Sequence, residues 1–198
     1  MHHLQPVAEG LPPGTYTVTV YDADDDSAWT AQTVTQPQPL AIANSITEPS
    51  CYNYSNGAMD ITVTGGTKTT DYAYSWTSPD GSGLHPLESD QDSLTAGTYY
   101  LTVEDDNRCS LSDTFRMFQP DPIRFNNTQV TNVISPPGGN GSIDLDVTGG
   151  TAPYTYAWEG PSGYLSSDED IFNLNGGLYS ILITDNHGCL NDSSFVVN

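Results

Sequence analysis

Basic residues are nearly missing from this sequence. Lys68, Arg108, Arg116 and Arg124 stand against 25 Asp and Glu, a formal net charge of −21 over 198 residues. Displacing phosphate counterions takes Lys and Arg, so sequence-nonspecific nucleic-acid binding is set aside. Docking on an anionic membrane surface fails for the same reason. No apolar run approaches the roughly 20 residues of a membrane-spanning helix, which argues against direct membrane insertion. Nothing reads as a signal peptide, and Met1-His2-His3 reads as an expression remnant. The 3.6-residue period of a helix is never sustained over about ten residues. A phosphate-cradling glycine loop and a clustered Cys/His zinc pattern are both missing. What the chain does have is 12 Tyr, three Trp and many Val, Ile and Thr, too much for an acidic disordered chain.

Those residues recur with a period of about 80 positions. Asn56-Gly-Ala-Met-Asp-Ile-Thr-Val-Thr-Gly-Gly-Thr67 returns as Asn140-Gly-Ser-Ile-Asp-Leu-Asp-Val-Thr-Gly-Gly-Thr151. Tyr72-Ala-Tyr-Ser-Trp76 returns as Tyr154-Thr-Tyr-Ala-Trp158. A third pattern, Leu-x-x-Gly-x-Tyr followed by alternating apolar residues, starts at Leu11, Leu94 and Leu174 and runs into Asp22, Asp105 and Asp185. Gln36-Pro37 and Gln119-Pro120 close the first two copies. The chain therefore divides into the C-terminal half of a truncated repeat (1–37), a complete repeat (38–119) and a second repeat (120–198). Both ends read as cuts within a longer protein. A lone half repeat cannot bury a full apolar face, so residues 1–37 are expected to be loosely held.

Within each repeat the period is two. Met59, Ile61 and Val63 alternate with polar residues, as do Ile143, Leu145 and Val147, and Tyr99, Leu101 and Val103. One set faces inward and the other outward. Gly, Pro, Asn and Asp cluster between these runs. Short strands in units of this length predict an all-β fold of tandem Ig-like β-sandwiches. The Leu-x-x-Gly-x-Tyr run resembles a tyrosine corner, placing Tyr16, Tyr99 and Tyr179 at strand starts. Trp76 and Trp158 sit where such sandwiches bury a central Trp. The alternative for these aromatic stripes is an exposed sugar-stacking platform; core packing is preferred because buried aromatics dominate small cores. Gly65, Gly66, Gly149 and Gly150 are read as turn residues after the first core strands.

The run 140–158, together with Ala96-Gly-Thr-Tyr99 and Asp185-Asn-His-Gly-Cys189, resembles the SprB-type repeat of large Bacteroidetes surface adhesins. That resemblance implies an Ig-like or PKD-like module at the cell surface, exported by type IX secretion and serving gliding, biofilm attachment or a stalk. Its implied partners are neighbouring repeats of the same long chain, with surface glycans or other cell-surface proteins as further candidates. The family often places one Cys before the first core strand and another after the Asp turn. The middle repeat has both, Cys51 and Cys109, while the third has Cys189 and carries Ser135 at the other place. Asp26 stands in the half repeat where Cys109 stands in the next. An exported protein can oxidise its thiols, so a Cys51–Cys109 disulfide is one expectation and two independent buried thiols the other.

Sites of chemistry are sparse. Asp22, Asp24 and Asp26 have the opening spacing of an EF-hand calcium loop, but Ser27 and Thr33 stand where that loop needs Gly and Glu. A hairpin turn capped by Asp explains them better. Calcium is retained as a candidate cofactor, held by these residues or at the joints between repeats. The acids of 88–92 and 168–170 are further donors, read as loop tips. His85 and His187 lie in different repeats without a neighbouring nucleophile, and no catalytic residue is assigned. Ser27, Ser93 and Thr114 follow Asp and precede an apolar residue, the pattern of bacterial O-glycosylation. Two alternatives to a spacer are kept: a carbohydrate-binding module using Trp29, Tyr100 or Tyr164, and a filament subunit that accepts a strand.

Overall fold

The computed structural model describes residues 7–134 and 139–198. His2, His3 and Ser135 lie outside the described residues. The fold is all-β; among the described residues the one helical element is a 3-10 turn, Pro161–Gly163.

The half repeat forms an isolated antiparallel hairpin of β1 (Gly14–Tyr21) and β2 (Ser27–Val34). The middle repeat has six strands: β3 (Ala41–Thr47), β4 (Gly57–Thr64), β5 (Ala73–Thr77), β6 (Gln91–Leu94), β7 (Gly97–Glu104) and β8 (Ser110–Met117). They form two sheets, ordered β3-β4-β6 and β5-β7-β8. The third repeat has β9 (Arg124–Thr131), β10 (Gly141–Thr148), β11 (Thr155–Gly160), β12 (Tyr164–Ser166), β13 (Ile171–Leu174), β14 (Gly177–Thr184) and β15 (Leu190–Val197). Its sheets are β9-β10-β13 and β12-β11-β14-β15. Strand for strand the two repeats share one topology, the third adding an edge strand, β12.

The period of two decides what is buried. In β7, Tyr99, Leu101 and Val103 are fully buried and their polar neighbours exposed. In β14, Tyr179, Ile181 and Ile183 are likewise buried, but the outward positions between and beside them include Leu178 and Leu182, both exposed. The two sheets of the middle repeat close on Met59, Ile61, Trp76, Leu94 and Phe115. Those of the third close on Ile143, Leu145, Trp158, Ile171 and Leu174. Each Trp has its polar handle satisfied, Trp76 Nε1 donating to Glu88 O at 2.9 Å and Trp158 Nε1 to Asp168 O at 3.0 Å. Phe115 packs on Trp76 at 5.7 Å and Phe195 on Trp158 at 6.1 Å between ring centroids.

The tyrosine corners all make the same bond, back to the carbonyl four residues earlier. Tyr16 bonds Pro12 O at 2.7 Å, Tyr99 bonds Thr95 O at 2.7 Å and Tyr179 bonds Asn175 O at 3.0 Å. Burial separates them. Tyr99 and Tyr179 are buried, whereas Tyr16 is half-buried and its strand-mates Val18 and Val20 are 57% and 64% exposed. The hairpin of the half repeat keeps the local geometry of a repeat, and among the described residues no opposing sheet covers its apolar face.

Truncating Trp76 to Ala should remove about 3–5 kcal/mol of stability, because its indole fills the middle core. Thermal or denaturant unfolding of the variant measures this; an unchanged midpoint would contradict the core assignment.

Candidate functional site at the repeat joint

Each complete repeat has two distinct ends. The chain enters at the end where β4 or β10 runs into Gly-Gly-Thr. A side chain cannot occupy the first glycine: a Cβ on Gly65 would lie 2.0 Å from Pro39 O, and one on Gly149 2.0 Å from Pro122 O. Both glycines also have positive φ, 81° and 78°. The entering proline carbonyl thus sits directly on the loop. Tyr72 and Tyr154 hold that loop from the other side, donating to Gly65 O and Gly149 O.

A buried carboxylate ties this loop to the last hairpin. Asp105 Oδ2 accepts the Thr67 N–H at 2.8 Å, and its Oδ1 accepts Asn107 N–H at 2.9 Å and Cys109 N–H at 2.8 Å. Asp185 repeats the set with Thr151 at 2.8 Å, His187 at 2.8 Å and Cys189 at 2.9 Å. Hydrogen bonds from backbone N–H groups, Thr67 first, hold the Asp105 carboxyl below its ordinary value of 3.8. Burial pushes the Asp185 carboxyl up, and the N–H bonds from Cys189, Thr151 and His187 outweigh it, leaving it lowered. Asp22 makes the same turn in the half repeat, accepting Asp24 N–H at 2.9 Å and Asp26 N–H at 3.0 Å.

The cysteines do not pair as expected. Cys51 is bonded to Cys189 of the next repeat, with Cα atoms 5.7 Å apart, and Cys109 is a free, exposed thiol. Neither a Cys51–Cys109 bond nor a pair of independent buried thiols is present. The reason lies in β4. Cys51 precedes it, in a loop that Ser50 N–H and Asn56 Oδ1 (3.0 Å) fasten at the Gly57 end. Cys109 lies beside Thr67, past the Thr64 end, through Asp105. Eight residues at ~3.3 Å each separate the two ends by ~25 Å, far beyond the ~7 Å limit for Cα atoms in a disulfide.

The joint closes because the far end of one repeat meets the entry end of the next. Residues 118–123 bridge them, and both halves of that link are fastened. Gln119 Oε1 accepts Asn53 N–H at 2.7 Å and Phe118 N–H donates to the Glu48 carboxylate. Beyond Pro120, Gly150 N–H donates to Asp121 O at 2.7 Å and Asn191 Nδ2 to Ile123 O at 2.7 Å. A cleft of about 280 Å³ follows the disulfide, lined by Tyr52, Tyr54, Ile123, Leu190 and Asn191. Another, of about 430 Å³, lies among Pro49, Phe118, Pro120 and His187.

Other candidates scatter. Asp22, Asp24 and Asp26 do not converge, since Asp22 turns its carboxylate onto backbone N–H groups. Among the described residues no three His, Cys, Asp or Glu are grouped to hold a metal ion. Two acids in the supposed loop tips have structural partners: Asp90 Oδ1 accepts Ile61 N–H and Asp170 Oδ1 accepts Leu145 N–H, both at 2.8 Å. Ser27, Ser93 and Thr114 are exposed. Trp29, Tyr100 and Tyr164 stand on three different sheets and share no platform; Tyr164 is turned edge-on to Tyr179 at 5.4 Å. His85 sits in the β5–β6 loop and His187 at the joint. The tie between the turn Asp and the Gly-Gly-Thr loop was missed in the sequence, although both motifs recur together.

The family model for the SprB repeat matches residues 43–81 and 127–163. These two segments are similar to the SprB repeat. They cover the first halves of the two sandwiches, β3 to β5 and β9 to β11, and include Cys51 but neither Cys109 nor Cys189. SprB repeats occur in cell-surface proteins, and no helix among the described residues is long and apolar enough to cross a membrane. No curated protein matches the chain. Among solved structures, extracellular domains 3–5 of Drosophila OTK are 12% identical, with 93% of this chain and 70% of that one covered and a TM-score of 0.35. The 47-kilodalton lipoprotein Tp47 of Treponema pallidum is 8% identical over 89% of this chain and 55% of that one, with a TM-score of 0.21.

Replacing Asp185 by Asn removes the acceptor of three N–H groups and should lower the melting temperature at neutral pH. A carboxyl lowered on folding stabilises above its ordinary value of 3.8 and loses that contribution as pH falls through the lower folded value. The gap in melting temperature between wild type and Asp185→Asn should therefore be constant at neutral pH and shrink below pH 3.8. A gap that stays unchanged at low pH would contradict the carboxylate's role.

Proposed function

We propose that this chain is a non-catalytic stalk segment of a large bacterial surface adhesin, projecting a distal binding region and carrying tension in attachment or gliding. The observation that carries the reading is the disulfide between successive repeats. Tension entering at Gln38 meets Cys51 after one strand, crosses to Cys189, and leaves along β15. The intervening stretch, with a sequence separation of 138 residues, is bypassed by the covalent path. Both cores lie almost wholly within it. Such a joint suits a stalk that must hold its length under shear. The acidic coat supports the same reading: 25 acids spread five, eleven and nine over the three segments keep neighbouring rods apart.

Single-molecule stretching from the two termini tests it. The oxidised chain should release only the residues outside the bypassed loop. After reduction, the 138-residue separation should add roughly 450–500 Å of contour length, at ~3.3–3.6 Å per residue. An oxidised chain that already unfolds to full length would refute the tension-carrying role.

A further inference from the structure

Cys109 occupies in the middle repeat the place that Cys189 occupies in the third. Each cysteine follows its buried Asp by four residues and donates its backbone N–H to that carboxylate. In each hairpin the Asp N–H returns to the Cys carbonyl at 3.0 Å. Cys189 is bonded and Cys109 is not.

The surroundings of Cys109 match as well. The link that enters the middle repeat has the same length as the one that enters the third: Val34 to Ala41 in one, Met117 to Arg124 in the other. Both links seat identically, Gly66 N–H donating to Gln38 O and Gly150 N–H to Asp121 O at 2.7 Å each. Pro39 O and Pro122 O lie equally close against Gly65 and Gly149. A repeat ending at Gln36-Pro37 is thereby delivered to Cys109 as the middle repeat is delivered to Cys189. The hairpin β1–β2 is the last hairpin of that repeat.

We infer that Cys109 is the hairpin half of an inter-repeat disulfide of the Cys51–Cys189 kind, built to bond a cysteine at the Cys51 position of a repeat joined before the middle one. Forming the bond joins Cys109 Sγ to the partner Sγ; the two thiols give up two protons and two electrons. A disulfide oxidant accepts them, its own S–S bond breaking into two thiols. The inference leaves the stalk reading aside, since it concerns pairing and not load.

The test extends the chain so that the hairpin becomes a whole repeat. A copy of residues 38–93, carrying its own Cys51, is placed directly before Leu11, the counterpart of Leu94. Oxidised glutathione is the oxidant. In the unextended chain Cys109 should be joined to no protein cysteine, remaining a thiol or carrying one glutathione by exchange. The extended chain should carry no glutathione and no free thiol, and its non-reduced peptide map should join Cys109 to the added cysteine. A Cys109 that remains free in the extended chain overturns the inference. A second measurement needs no new repeat. In the unextended Cys189→Ser variant, Cys51 and Cys109 sit at opposite ends of one repeat and should form no bond to each other. A Cys51–Cys109 peptide from the monomeric fraction of that variant overturns it equally, whereas the same peptide from a covalent dimer joins two repeats as the inference expects.

Discussion

A single buried carboxylate at the entry end of each repeat organises everything that follows from it. Asp105 and Asp185 each gather three backbone N–H groups from two segments far apart in sequence. A carboxylate out of water is tolerable only when so satisfied. Once it is, the Gly-Gly-Thr loop, the last hairpin and the entering proline are fixed relative to one another. The cysteine at the tip of that hairpin is then presented outward, toward whichever repeat comes before. The cores supply the stability of each sandwich, but the carboxylate sets where one sandwich can be bonded to another.

Much of the fold was legible in the sequence because it is written in short-range periods. Alternation at Met59, Ile61 and Val63 or Tyr99, Leu101 and Val103 identifies strands and inward faces, since a residue's neighbours two positions away share its side of the sheet. Trp76 and Trp158 stand at matching places in two repeats, and both are buried. The joint was harder to read. Two cysteines within one repeat suggest each other as partners, and only the direction of β4 shows that they point to opposite ends. That direction could have been taken from the order of motifs alone: Cys51 comes before the alternating run, and Gly65-Gly66 closes it. The missing step was to place the Asp turn beside Gly-Gly-Thr. That contact is long-range, and no local pattern reports it. The acids at 22, 24 and 26 were legible as an Asp-capped hairpin turn, and Asp22 does accept the Asp24 and Asp26 N–H groups.

Not every joint is built alike. Asp26 stands where the half repeat would need a hairpin cysteine, and Ser135 where the third repeat would need one in its far loop. The residues thus distinguish joints that can be bonded from joints that cannot, within a chain whose sandwiches are otherwise the same.

The route of the Cys51–Cys189 bond also bears on damage. Proteases cut preferentially in loops. Several loops, including those around Lys68 and Leu87, fall between the two bonded cysteines. A cut in any of them opens the backbone, yet the portion before Cys51 stays covalently attached to the portion after Cys189. The two flanking portions would remain tethered after a nick that severs an ordinary tandem repeat.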